Sequence, residues 1–240
     1  IKGAFENLGR IAPDELQAGV RAFGNGSELV VENAFTDTAI DAQNGQTPPP
    51  YGQFQVVHFA THGLKENEMG CDSPPALLTS TAVDPGSDGL LSFEEIAALK
   101  LDANLVILSA CNTAAETSER RARELGFRVG EAGAGATLNG LVRAFFNANT
   151  RAVLTTHWAI PNNVQTRSGE QLAPSTLLMQ ALFNAAAKNS IAGSVRAAQT
   201  SLRSNPDLSH PYYWGAFSVV GDGSKVMFTQ SPGAVADARR

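Results

Sequence analysis

The hydrophobic positions of this chain fall into short continuous runs. Val56-Val57-His58-Phe59, Leu105-Val106-Ile107-Leu108 and Ala152-Val153-Leu154-Thr155-Thr156 lack the polar alternation of a half-solvated strand. Runs of this kind predict strands buried on both faces of a parallel sheet. Elsewhere the composition and spacing are helical. Asp14–Phe23, Phe35–Asp41, Leu138–Asn147, Leu177–Ala187 and Ile191–Leu202 predict helices. Ser92 followed by Glu95 forms a capping box that opens one more, through Leu99. Glu28–Val31 predicts a short strand near the start, and Trp214–Val220 a last strand before Gly221-Asp222-Gly223. Strands alternating with helices predict an α/β fold of three layers, a mostly parallel central sheet covered by helices on both faces.

Breaker residues mark the connections. The consecutive prolines Pro48-Pro49-Pro50 lack amide donors and predict an extended loop into the Val56 run. Asp84-Pro85-Gly86-Ser87-Asp88-Gly89 is a turn cluster. Residues 114–136 are rich in Ala, Glu, Arg and Gly with little apolar periodicity, and predict a mobile loop. A chain of 240 residues can bury one sizeable core, so a single domain is expected. Its parts are an N-terminal portion over 1–50, a core over 51–223 and a C-terminal tail over 224–240. No internal repeat is present, and the chain begins at Ile1 rather than Met, which leaves room for a segment upstream.

Charge narrows the partners. Lys and Arg total 18 against 23 Asp and Glu, a formal charge of −5, with no basic stripe carrying interleaved aromatics, so no nucleic-acid partner is expected. Arg120, Arg121 and Arg123 alternate with Glu116, Glu119 and Glu124 and read as a solvated helix face. No apolar run reaches the roughly 18 residues a membrane helix needs. Cys71 sits in a polar loop and Cys111 closes an apolar strand, with no second pair to suggest a disulfide scaffold. A reducing cytoplasm is the expected setting.

The chemistry gathers where two of these runs end. One continues into Ala60-Thr61-His62-Gly63, the other into Ser109-Ala110-Cys111-Asn112-Thr113. In an open parallel sheet, functional groups collect beyond the carboxyl ends of the strands. Two neighbouring strands ending in this way bring an imidazole and a thiol to one rim, the minimum for a cysteine nucleophile with a histidine base. His62 precedes Cys111 by 49 residues, near the separation of roughly 50 in caspase-type enzymes. Taken singly, such a cysteine is more often a small buried hydrophobe and such a histidine a packing residue. His58, well inside its strand, reads as a packed core histidine, and His210 as structural. Two cysteines 40 residues apart and scattered histidines do not supply the short local ligand spacings of a zinc site, so neither metal nor cofactor is expected.

Further ordered motifs surround this pair: Pro75-Ala76-Leu77-Leu78, Asp88-Gly89-Leu90-Leu91-Ser92-Phe93-Glu94-Glu95-Ile96, Gly140-Leu141-Val142-Arg143-Ala144-Phe145-Phe146, His157-Trp158-Ala159-Ile160 and His210-Pro211-Tyr212-Tyr213-Trp214-Gly215-Ala216-Phe217. Together they resemble the CHAT family, caspase-like domains often attached to tetratricopeptide repeats. The resemblance runs from about residue 50 to 223. It implies a caspase-like fold and a cysteine endopeptidase with catalytic His62 and Cys111, an oxyanion hole from the amides of Gly63 and Cys111, and a peptide or protein substrate. It further implies bacterial regulatory proteolysis under control of an attached or partner module, such as tetratricopeptide repeats.

Ser109, Asn112, His157 and Trp158 are the candidate cleft residues. In caspase-like relatives the residue two before the nucleophile helps line the pocket for the substrate side chain preceding the cut. Arg- or Lys-selective enzymes commonly carry an acid there. Here that residue is Ser109, which points to an uncharged side chain, although Asp72, Asp84 or Asp88 lie on loops able to add charge. Many relatives carry an acid shortly after the equivalent of Trp158, where this chain has Pro161-Asn162-Asn163. Segment 114–136 comes directly after the nucleophile, where an activation loop would lie, and Arg120-Arg121 offers a cleavage point within it. Two other classes compete: a non-catalytic CHAT interaction module, which needs neither His62 nor Cys111, and a thiol acyltransferase, for which the Gly-x-Cys-x-Gly elbow is missing.

Overall fold

The computed structural model describes residues 11, 13–24, 26–45, 50–64, 75–80, 86–109, 136–158, 160–161 and 163–228. Helix α1 (Asp14–Phe23) opens the fold with acidic residues in its first turn and Arg21 in its last, both favourable to the helix dipole. Helix α2 (Asp37–Asn44) leads towards β1 (Val56–Phe59). Next come β2 (Gly63–Leu64), β3 (Ala76–Leu78), β4 (Leu90–Ser92) and α3 (Phe93–Ala98). The expected capping box is formed: Glu95 N–H donates to Ser92 Oγ at 3.2 Å, and Ser92 N–H to Glu95 Oε2 at 2.7 Å. Strand β5 (Leu105–Leu108), α4 (Ala136–Asn147) and β6 (Ala152–Thr156) are next, then the small hairpin β7 (Val164–Gln165) and β8 (Gln171–Leu172). Helices α5 (Pro174–Ala186), α6 (Ile191–Arg203) and α7 (Pro211–Trp214) precede β9 (Phe217–Gly221).

The central sheet has the order β1-β5-β6-β9, parallel except for the antiparallel β9. Strand β5 lies between two neighbours, and its four side chains are at most 1% exposed. Alternation sends them to opposite layers. Val106 and Leu108 join Phe59, Val153, Phe93, Ile96 and Phe145 under α3 and α4. Leu105 and Ile107 join Leu154, Leu178, Leu182, Val195 and Phe217 under α5 and α6. Phe93 packs so near α4 that a Cβ on Gly140 would lie 2.5 Å from its Cε2, which is why glycine stands there. A separate antiparallel sheet, β2-β3-β4, sits beyond the end of β1.

Some expectations change. Glu28–Val31 is coil, not strand, with Leu29 and Val31 each 39% exposed. A four-residue apolar run becomes a strand only against a paired edge. Here a cavity of about 600 Å³, lined by both Val30 and Val57, separates it from β1. The expected C-terminal tail starts as packed chain: Met227 is fully buried, its carbonyl accepts from Asn104 Nδ2 at 3.3 Å, and the rings of Phe228 and Phe23 lie 4.9 Å apart.

Candidate active site

Parallel pairing sets the site. Phe59 at the end of β1 lies opposite Leu108 at the end of β5, and the Ser109 amide continues the ladder to the Phe59 carbonyl at 2.9 Å. His62 comes three residues after Phe59 and is partly buried. Its main chain is pinned from the side sheet. Leu78 N–H donates to the His62 carbonyl at 2.8 Å, and Thr61 Oγ1 donates to the Leu78 carbonyl at 2.5 Å. Thr61 is 8% exposed, so this anchor is shielded from water.

The same pairing orients Gly63. Since His62 and Leu78 share the ladder bond, the next pair, Gly63 and Leu77, is of the non-hydrogen-bonded type. The Gly63 N–H therefore points away from β3.

At the next parallel strand, β6, the chain runs into His157 and Trp158, both exposed. His157 Nε2 lies 2.7 Å from Ser218 Oγ, and its amide donates to the Ala216 carbonyl at 2.9 Å. Trp158 Nε1–H donates to the Tyr212 carbonyl at 2.9 Å, while the two rings stack with centroids 6.4 Å apart and planes 17° from parallel. His210 caps α7, its Nδ1 accepting the Tyr212 amide at 3.2 Å. The aromatic ledge is thus rigid although Trp158 is 37% and Tyr212 42% exposed.

Ser109 is differently placed from an open pocket serine. Its Oγ is 2.9 Å from His58 Nε2, and the same nitrogen is 3.1 Å from Glu15 Oε1 on α1. His58 is packed, as expected, and also stands edge-on to Phe183 at 6.2 Å. A hydrolytic Ser-His-acid triad uses both ring nitrogens, one for the serine and one for the acid. Both partners here meet one nitrogen, so this cluster is not such a triad. Cys111, Asn112, Cys71, Asp72, Asp84, the arginines at 120, 121 and 123, and the expected loop as far as residue 135 lie outside the described residues. Asp88 is a turn residue whose Oδ1 accepts the Leu90 amide at 2.9 Å.

The CHAT domain family matches residues 2–222 of the 240-residue chain. The chain belongs to the CHAT family. No curated protein matches it. The CHAT match takes in α1 and α2 as well as the motif-bearing core. The family is caspase-like and peptidase-related, and the β1-β5-β6-β9 sheet between two helical layers agrees with that fold. Among the described residues, no helix of this CHAT domain is long and apolar enough to cross a membrane.

Two residues of this CHAT domain escaped the sequence reading. Glu15 had a signal: it shares a helical face with Ala18 and Gly19, a carboxylate on the apolar side. Ser218 had none, because its approach to His157 depends on the antiparallel return of β9.

Proposed function

We propose that this CHAT domain is a cysteine endopeptidase in which Cys111 is the nucleophile and His62 moves the proton. The observation that carries the reading is the in-register parallel pairing of β1 with β5. His62 and Cys111 each come three residues after the last paired position of their strand, Phe59 and Leu108. Adjacent strands of a parallel sheet deliver the residues beyond their carboxyl ends to one rim.

In the proposed reaction, the Cys111 thiolate attacks the scissile carbonyl carbon. His62 accepts the thiol proton and returns it to the leaving amine as the C–N bond breaks, giving a thioester. Water then attacks the thioester with His62 as base, releasing the acid and restoring the thiol. The outward Gly63 N–H supports its role as one oxyanion donor, with the Cys111 amide as the other. The ledge of His157 and Trp158 would flank the substrate chain, with Asn112 beside the nucleophile. The substrate is a peptide or protein, and control by an attached or partner module accords with the family. The segment 114–136, immediately after Cys111, is the place for that control to act.

Labelling with a peptide-based thiol-reactive electrophile tests this, with intact mass identifying the modified cysteine. Wild type is expected to react at Cys111 faster than at Cys71, and His62→Ala to slow Cys111 by about 100-fold, within the range of general acid–base contributions. Reaction at Cys111 no faster than at Cys71, and indifferent to His62→Ala, would refute the dyad and favour the non-catalytic interaction module.

A further inference from the structure

Strand β1 is an edge of the central sheet. The Leu105 and Ser109 amides donate to the Gln55 and Phe59 carbonyls at 3.2 and 2.9 Å, so residues 55, 57 and 59 turn their backbone groups to β5. The alternate residues, Val56 and His58, turn theirs the other way. Among the described residues, neither their amides nor their carbonyls have a partner on that side. There lies the cavity of about 600 Å³ whose other wall includes Glu28, Leu29 and Val30. Leu29 and Val30 also lack backbone partners among the described residues, and Val31 after them is extended at φ −136° and ψ 158°. This segment runs in the direction of β1. Phe23 ahead of it packs on Phe228 near Asn104, whose amide donates to the Gln55 carbonyl, and Phe35 after it reaches Phe59, with ring centroids 6.4 Å apart. Two unpaired backbone edges therefore face one cavity.

We propose that this cavity docks one extended strand of a partner polypeptide, bonded to β1 on one side and to Leu29 and Val30 on the other. Main-chain pairing of this kind is how an extended peptide adds to a sheet edge. Strand β1 has four residues, about 13 Å at 3.3 Å each, so the donated run is about four residues long. It has to be apolar on both faces rather than alternating, because Phe23, Phe183 and Phe228 line the cavity from one helical layer and Phe35, Ile40 and Leu101 from the other. Glu28 is the one charged side chain on its walls among the described residues, which favours a Lys or Arg flanking the run. Outside the described residues the sequence nowhere sets two large apolar side chains next to each other, so the run belongs to another polypeptide. The same docking accounts for Glu28–Val31, whose strand composition meets its pairing edge only when the partner is bound.

The test adds the peptide acetyl-Lys-Val-Ile-Val-Val-Lys-amide to the full chain, with calorimetry for affinity and hydrogen exchange by NMR for the site. Exchange of the Val56 and His58 amides should slow by about tenfold or more, and Tm should rise by about 5–10 °C at 100-fold excess over Kd. Methylating two alternate amides of the peptide keeps its apolar surface but removes the donors of one edge, and should weaken binding by about tenfold. Val30→Trp fills the cavity from its coil wall and should abolish binding while the free chain stays folded. Glu28→Gln should weaken binding only about two- to fivefold, the scale of an exposed ion pair. No binding by wild type at millimolar peptide, equal binding of the methylated peptide, or binding that survives Val30→Trp overturns the inference. Protection of the same amides by decanoate to an equal degree overturns it in favour of a small amphiphile. Their protection by self-association of the chain without peptide overturns it in favour of a second copy.

Discussion

Thr61→Val isolates the anchor of His62. Valine keeps the shape of threonine and deletes only the hydroxyl, which donates to the Leu78 carbonyl at 2.5 Å in a site 8% exposed. A neutral hydrogen bond of this type contributes about 0.5–1.5 kcal/mol net. For a domain of this size each kcal/mol corresponds to about 2–4 °C in Tm. The variant is therefore expected to melt about 2–5 °C below wild type, a modest loss by itself. The larger effect falls on the site. Leu78 N–H also holds the His62 carbonyl at 2.8 Å, so loosening Leu78 releases the main chain that carries the imidazole. Misplacement of a catalytic group by about 1 Å can cost on the order of 100-fold. Electrophile labelling of Cys111 at a temperature where both proteins are folded should then slow by at least about tenfold. A variant with the lowered Tm and an unchanged labelling rate would refute the reasoning, because Thr61 would be stabilising the side sheet without positioning His62.

Gly140→Ala should be destabilising by about 1–3 kcal/mol in urea unfolding, since overpacking forces Phe93 off the 2.5 Å contact its ring would make with the new Cβ. Ser92→Ala removes the hydroxyl of the capping box and should cost about 1 kcal/mol by the same measurement. Tyr51 has its hydroxyl pKa pushed up from 10.0 to about 12, first by burial and then by the negative charges of Glu28 and Asp41. The folded chain thus holds this proton more tightly than the unfolded chain; the stabilisation is full below pH 10 and is lost as pH rises towards about 12. Tyr51→Phe should flatten the fall in stability between those values, as tracked by alkaline titration of the unfolding midpoint.

Much of the frame was legible because burial on both faces writes an uninterrupted apolar run, as in β5 and β6; the β1 run reads the same way although only Phe59 of it is buried. Val56–Phe59, Leu105–Leu108 and Ala152–Thr156 have strand bounds that coincide with those runs. Ser92 and Glu95 were equally plain, since a capping box is wholly local. Helix α5 begins at Pro174, three residues before the expected Leu177, because proline tolerates the first turn where its missing N–H would be unpaired anyway. The failures are non-local. Glu28–Val31 has strand composition but no paired edge, and the strand expected from Trp214 starts only at Phe217 because α7 takes Trp214. The place of His62 beyond the end of β1 was legible from the run before it. The company Ser109 keeps was not, because it depends on His58 from the neighbouring strand, and His58 is in turn met by Glu15, on a helix 94 residues before Ser109 in the chain.

The packed stretch 224–228 bears on how this unit can be excised. The family match ends at residue 222, and the recognisable motifs stop at Gly223. A cut there would look natural. It would also remove the Lys225 carbonyl that receives the Ile191 amide at 2.7 Å, the Met227 carbonyl that receives Asn104, and the Phe228 ring that closes over Phe23. Those partners belong to the start of α6, the approach to β5 and the end of α1. Recombinant fragments of this domain should therefore extend through Phe228, since a shorter one exposes the apolar seam on which the approach to β5 and the first helix both depend.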